Sequence, residues 1–520
     1  MKKETSLTRE IFIYGLIFFS AILLRLILLG KVPLVESESA LAFQAWQIYQ
    51  GEPVVIGSQV SYLAVSEGLF SLFGAGEFLA RFWPAMVGSL LVWFPFLIRK
   101  KVDRAPALLL AAGLAFDPAL VSTSRIAASP MPALVFLFLA AGAFHTKKIT
   151  WTVLFLGLGL ISGPGFWFGA VILGITLLVS GVLGIFDPRP YIQVRLTHFK
   201  DQQGSTFDKG GALAIPLGIV IVLGSFFFTN IQGLSAWIGS LPVYFASWVQ
   251  PGGLHPIRVL INLLVSNPLI LIFAGLGFIS SWRAGDQFGK LTSIWFGMSL
   301  LLMLIYPGRQ PMDLMWVVIP LWVGSAREFT RINHLAEGSW VIRVLAAVVG
   351  VLMVLNWLTF TGMVYQLGND RALLLQGGLI AATLALVLLS MAIVASEWGW
   401  TASKKGLTLG IVSMLVIYMI ASLVQGAYLK AGDPRSLWSD GSGAGQIGLL
   451  QDSIDSASLT SAGRRDSIAG VVRSDSKALR WALRDQKDFV FQEILDPASS
   501  PPILITSEID SYQVPPDLYR

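Results

Sequence analysis

The chain has 520 residues, of which 54% are hydrophobic and only 13% charged, against roughly 25% charged in an ordinary soluble domain. This balance excludes a water-soluble globular protein and leaves a polytopic α-helical membrane protein. The net charge of +6 does not mark a nucleic-acid binder: residues 1–430 carry 28 Lys/Arg against 18 Asp/Glu, and residues 431–520 carry 9 against 13, so the basic excess belongs to the apolar part and reports orientation.

Apolar windows able to cross about 30 Å of hydrocarbon occur near 11–30, 79–98, 105–122, 131–146, 149–163, 166–186, 212–229, 258–281, 291–306, 311–327, 340–363, 371–395 and 406–429. They predict about 13 transmembrane helices over residues 1–430. With the N-terminal MKKETSLTRE in the cytosol, the connections 99–104, 145–148, 187–211, 281–290, 327–334 and 396–405 all fall inside, and all carry Lys or Arg. The connections 31–78 and 230–253 are poor in both and fall outside. The first window is longer than a signal-peptide core of about 7–15 residues and has no small-residue cleavage site after it, so it reads as an uncleaved helix in a cell membrane.

Within 31–78, Pro33 stops the first helix and Ser37 is the expected N-cap of a short surface helix over 38–49. Leu41, Ala45 and Ile48 form its apolar stripe, with Trp46 and Tyr49 as interfacial anchors. Glu36 and Glu38 sit at its head, where carboxylates also complement the helix dipole.

Beyond Leu429 the chain turns polar. QIGLLQDSIDSASL and SKALRWALRD have helical periodicity, and FVFQEI and PPILITSE read as strands. A small extracytoplasmic α/β domain over 431–520 is expected, incomplete at its end.

Polar groups on the outer side are few. Arg25 and Arg81 lie in or beside spans, DPALVSTSRIAASP carries Asp117 and Arg125 in the second outer loop, and YPGRQPMD carries Arg309 between two prolines. Arginines at this depth face a cavity or snorkel to headgroups, and several converging would suit a lipid phosphate. The absence of cysteine excludes disulfides, thiolate nucleophiles and Cys-ligated zinc. His145, His198, His255 and His334 are scattered, and two carboxylates alone form no complete ligand set, which leaves a divalent cation open.

The succession ESESALAFQAWQIYQGE, LFSLFGAGEFLARFWPAMVGSLLVWFPFLIRKK, DPALVSTSRIAASPMPALVFLFLAAGA and YPGRQPMDLMWVVIPLWVGSA resembles the GT-C fold glycosyltransferases of the protein mannosyltransferase and aminoarabinose transferase type, over about residues 1–330. That resemblance implies an inverting membrane glycosyltransferase. It would move a sugar from a polyprenyl-phosphate carrier to a protein, lipid or glycan acceptor outside the cytoplasm. Carried over, Glu36 stands where the family has the aspartate that acts as catalytic base, Glu38 is the second acid, and Arg309, Arg125 or Arg81 hold the donor phosphate. Two departures stand out: Glu replaces Asp at 36, and Ser129 occupies a position where relatives often carry Asp. The alternatives are a transporter or flippase for a lipid-linked substrate, which would usually show a repeat not visible here, and a catalytically inactive relative.

Overall fold

The computed structural model describes residues 2–187, 193, 209–250, 254–336, 340–364, 370–433, 436, 445–463, 469–486, 488–492 and 502–506. Most of the basic connection 187–211 and the end of the chain lie outside the described residues.

The chain opens with α1 (Lys2–Leu26), followed by α2 (Glu36–Gln50) and α3 (Val60–Phe73). The connection 31–78 therefore holds two helices where the sequence suggested one. The expected N-cap at Ser37 is corrected as well. The helix begins at Glu36, Val35 is the N-cap, and Glu38 reaches back to accept a hydrogen bond from the Val35 amide at 3.1 Å. A carboxylate three residues past the cap satisfies a first-turn amide that Ser37, exposed, leaves alone. Gly51 ends α2 in the left-handed region (φ 74°), bonding back to Ile48 and Gln47. Ala42 and Ala45 of α2 pack with Val60, Leu63 and Phe70 of α3 in one buried cluster.

Next come α4 (Glu77–Ser89) and α5 (Trp93–Val102), which run on as one apolar helix over Glu77–Val102. After them α6 (Arg104–Phe116) and α7 (Pro118–Ser124) meet at a 51° bend, where Asp117 caps α7 by accepting from the Leu120 amide at 2.9 Å. Asp117 was expected in an outer loop but is fully buried at this break, and it also accepts from the Trp322 indole at 2.8 Å. Then come α8 (Pro130–His145), α9 (Ile149–Leu160) and α10 (Pro164–Val182). The SGPG sequence divides α9 from α10 as read, with Gly163 at φ 89° and Pro164 at the first helical position.

Further on, two expectations change. A helix Gln232–Ala246 occupies the supposed loop 230–253, and the supposed span 258–281 is two helices, Pro256–Ser266 and Pro268–Ala284, bent by 91°. Pro268 lacks the amide that would continue the first of them. Later helices are Gln287–Ile305, Met315–Ala336, Trp340–Val364, Asp370–Trp398 and Trp400–Val424.

By length and composition six described helices can cross a membrane, or up to eight if each bent pair is one span. Several of the thirteen expected windows are shorter helices, such as α8 with 16 residues and α9 with 12. The chain is a multi-pass membrane protein. Its largest buried cluster gathers on Met315–Ala336, where Trp316 and Trp322 fill space against Gly169 and Gly113; a Cβ there would come within 2.0 and 2.2 Å of the indoles.

In the C-terminal part, β1 (Gly470–Arg473) lies between β2 (Phe489–Phe491) and β3 (Ile503–Thr506), parallel to both. The strand β1 has no counterpart in the sequence reading. Helix Gly445–Ala462 contributes Ile454 to a small core with Val472, Leu483 and Phe489. The short helix Lys477–Ala482 packs instead against α2, and Trp481 is buried in the α2–α3 cluster.

Candidate functional site

A cavity of about 270 Å³ opens where the ends of α1, α2, α4 and α7 meet the 306–312 turn and the chain following Trp400–Val424. Its wall includes Glu38, Arg81, Ser122, Arg125, Arg309 and Lys430. Four of the five residues to which the resemblance gives a catalytic or phosphate-binding role, Glu38, Arg81, Arg125 and Arg309, thus meet here, from segments up to 271 positions apart. Glu36 does not line it.

Glu38 is buried and accepts four hydrogen bonds: from Arg81 Nε at 2.8 Å and Nη2 at 2.5 Å, and from the Ala127 and Val35 amides at 2.9 and 3.1 Å. Those bonds occupy the acceptor sites of a carboxylate. Arg81 is equally committed: its remaining N–H groups go to the carbonyls of Leu29 (3.2 Å), Val32 (2.6 Å) and Pro33 (3.2 Å). The pair thereby fixes the turn between α1 and α2.

Arg125 sits at the end of α7 and donates through Nη1 to the carbonyls of Leu24, Arg25 and Ile27 at the end of α1, at 3.2, 3.0 and 2.7 Å. Its guanidinium lies over the Tyr428 ring, 4.6 Å from the centroid. Arg309 reaches the carbonyls of Met303 (3.1 Å), Leu254 (2.8 Å) and Leu304 (3.0 Å). Burial pushes its pKa down. Both arginines are oriented by neutral carbonyls, and neither forms an ion pair among the described residues. Arg25, by contrast, is fully buried away from the cavity wall and bonds to Ala21, Leu114 and Ala115.

Glu36 points to the C-terminal part. It accepts from the Ser476 hydroxyl at 2.7 Å and from the amides of Lys477 and Ala478 at 2.5 and 3.1 Å, the start of helix Lys477–Ala482. Around this contact, the Trp481 indole donates to Glu77 at 3.2 Å and Arg484 donates to the Ala75 carbonyl at 3.1 Å. Ser129 is buried in a hydroxyl cluster with Ser61 and Ser162 and takes no part in the cavity wall.

The sequence reading missed Lys430 and Ser122. Lys430 follows the last apolar span, where a lysine reads as an interfacial anchor, and Ser122 is one of three consecutive hydroxyl residues, Ser122, Thr123 and Ser124. Neither position carries a local signal. The wall holds one carboxylate, itself paired, among four cationic side chains, a setting that repels a divalent cation. Among the described residues no group of three His, Asp or Glu is arranged to hold a metal.

No protein-family model and no curated protein matches this sequence. Solved structures do match its fold. ArnT from Cupriavidus metallidurans bound to undecaprenyl phosphate has a TM-score of 0.55 at 13% identity, covering 93% of this chain and 86% of that one. The same protein in the apo state has a TM-score of 0.50 at 12% identity, covering 94% and 86%. The Archaeoglobus fulgidus oligosaccharyltransferase in complex with zinc and sulfate gives 0.44 at 13% identity, over 92% of this chain and 62% of that one. The chain is a membrane protein with the GT-C fold, the fold of ArnT.

Proposed function

We propose that this protein is an integral-membrane glycosyltransferase that takes its sugar from a polyprenyl-phosphate carrier, with the carrier phosphate in the cavity between Arg125 and Arg309. The observation that carries the reading is the convergence of these two guanidiniums, neither neutralised by a carboxylate, on one cavity beside Glu38. The ArnT fold, seen in that protein with undecaprenyl phosphate, supports it. Along the sequence the Lys- and Arg-bearing connections alternate with the segments that supply the cavity residues, which supports an extracytoplasmic site with the N-terminus in the cytosol.

The chemistry requires little more. The polyprenyl phosphate released from the diester donor is a competent leaving group, so the site needs a base for the acceptor hydroxyl and positive charge for the departing phosphate. Arg125 and Arg309 supply the charge. Of the two acids, Glu38 is spent on Arg81, and its role is to hold the cavity wall. Glu36 remains the candidate base, and it becomes available once helix Lys477–Ala482 leaves its carboxylate. Attack in one step inverts the anomeric carbon. The 431–520 segment acts as an outer unit over this end of the membrane domain, 1–430.

A second reading, a carrier-binding relative without transfer activity, is favoured by one observation: both carboxylates are already occupied by hydrogen bonds within the protein. Transfer of labelled sugar from a polyprenyl-phosphate donor pool, in membranes containing the unaltered chain or Glu36→Gln, separates the two. Transfer by the unaltered chain that is lost in the variant supports the enzyme. Carrier binding with no transfer by either form supports the second reading.

A further inference from the structure

The charge of the cavity is out of balance, and this bears on which form of the carrier it holds; the inference rests on the carrier reading above. Arg81 and Glu38 cancel each other. Arg125 and Arg309 bond only to neutral carbonyls, which orient a guanidinium without discharging it. Lys430 adds a third positive charge on the same wall, and its ammonium has no hydrogen-bond or ion-pair partner among the described residues. Ser122 lines the cavity too. Its hydroxyl is buried without any partner, which is rare for a buried polar group and points to one supplied from outside. Three uncompensated cations therefore line one space of about 270 Å³, with the unpartnered Ser122 hydroxyl buried in its wall.

That is more positive charge than a glycosylated carrier needs. A sugar joined through a phosphate diester leaves one negative charge on phosphorus. When the acceptor oxygen bonds to the anomeric carbon, its proton goes to the base, and the bond from that carbon to the phosphate oxygen breaks. The electron pair stays on the phosphate. The released monoester, with a second pKa of about 6, is largely a dianion at neutral pH. We propose that the cavity is built for this phosphate dianion, that Lys430 and Ser122 complete its ligand set beside Arg125 and Arg309, and that Lys430 makes the site prefer the discharged carrier over the glycosylated one.

The test uses the full chain in lipid nanodiscs and two probes, a short polyprenyl phosphate and its monomethyl ester, which is a monoanion at every working pH. At about pH 7.5 the phosphate should bind about tenfold tighter than the ester, and at about pH 5 the preference should collapse as the phosphate takes up a proton. Lys430→Gln should remove most of the preference at the higher pH, because its ammonium attracts a dianion about twice as strongly as a monoanion and the phosphate therefore loses more affinity than the ester. Ser122→Ala, a smaller change, should weaken phosphate binding about threefold. Equal affinity for the two lipids in the unaltered chain, or equal losses for both in Lys430→Gln, would overturn this inference and leave the carrier reading standing. Binding of neither lipid by the unaltered chain would overturn both.

Discussion

Glu38 and Arg81 stand 43 residues apart and meet through two hydrogen bonds, Nε to Oε1 at 2.8 Å and Nη2 to Oε2 at 2.5 Å, at a site almost closed to solvent. A buried bidentate pair is costly to break from one side, because the survivor keeps its charge without a partner. Arg81→Gln should therefore destabilise the protein by about 3–5 kcal/mol, read as a lower apparent melting temperature in detergent. Arg81→Lys should recover little, since one ammonium cannot serve both Glu38 and the carbonyls of Leu29, Val32 and Pro33. The double variant Arg81→Gln/Glu38→Gln should lose less than the sum of the single losses. Additive losses would mean that the pair is not coupled.

Glu36 ties α2 to helix Lys477–Ala482 through two backbone amides and the Ser476 hydroxyl. Removing its charge should raise hydrogen exchange at the Lys477 and Ala478 amides by about tenfold, since hydrogen bonds to a charged group are worth about 1.5–3 kcal/mol. Exchange in β1 should stay unchanged, because its ladder to β2 and β3 does not involve Glu36. Parallel acceleration across β1 would mean instead that the whole C-terminal part unfolds together.

Arg309 and Arg125 hold their guanidiniums in place through carbonyls of Met303, Leu254 and Leu304 and of Leu24, Arg25 and Ile27. Replacing either by Gln should weaken binding of a polyprenyl phosphate by about tenfold or more, the usual worth of a charge-assisted contact to phosphate. Glu10→Gln, on the α1 residue that faces Arg99 and Arg104, is the control and should leave that affinity alone. Unchanged binding in both arginine variants would remove them from the phosphate site.

Asp313 is the third residue of the helical turn Pro311–Leu314 next to the cavity and accepts a hydrogen bond from the Gln310 amide at 2.9 Å. Burial pushes its carboxyl up from 3.8 to about 7, outweighing that hydrogen bond. The folded protein then binds a proton that the unfolded chain has released. Its stability contribution is full below the unfolded value of 3.8 and is lost as pH rises through about 7. Asp313→Asn should thus raise the apparent melting temperature by about 2–4 °C near pH 8, by less near pH 5, and change it little near pH 4. A gain of the same size at all three values would locate the effect elsewhere.

The elements differ in how far the chain announced them. The long apolar helices, the α9–α10 break at SGPG and the helix carrying Glu36 and Glu38 were legible, because hydropathy and proline or glycine act over a few neighbouring residues. The α7 break at Asp117, the 91° bend before Pro268 and helix Gln232–Ala246 were not, since each depends on a partner such as Trp322 or on packing against distant helices. Arg81, Arg125 and Arg309 were singled out as polar groups near a membrane face and Glu36 and Glu38 as an acidic pair heading a surface helix; the arginines and Glu38 do meet, whereas Glu36 turns the other way.

By itself the sequence determined that this is a multi-pass helical membrane protein, because too few charged residues are spread over too many apolar windows for any other outcome. Only the tertiary structure decided which charges are free to act. Glu38 and Arg81 are nearly consumed by each other, Glu36 by Ser476, Lys477 and Ala478, whereas Arg125, Arg309 and Lys430 keep their charge on one cavity. The reason is physical: a side chain's chemistry is set by its hydrogen-bond partners, and these come from segments that no local pattern connects.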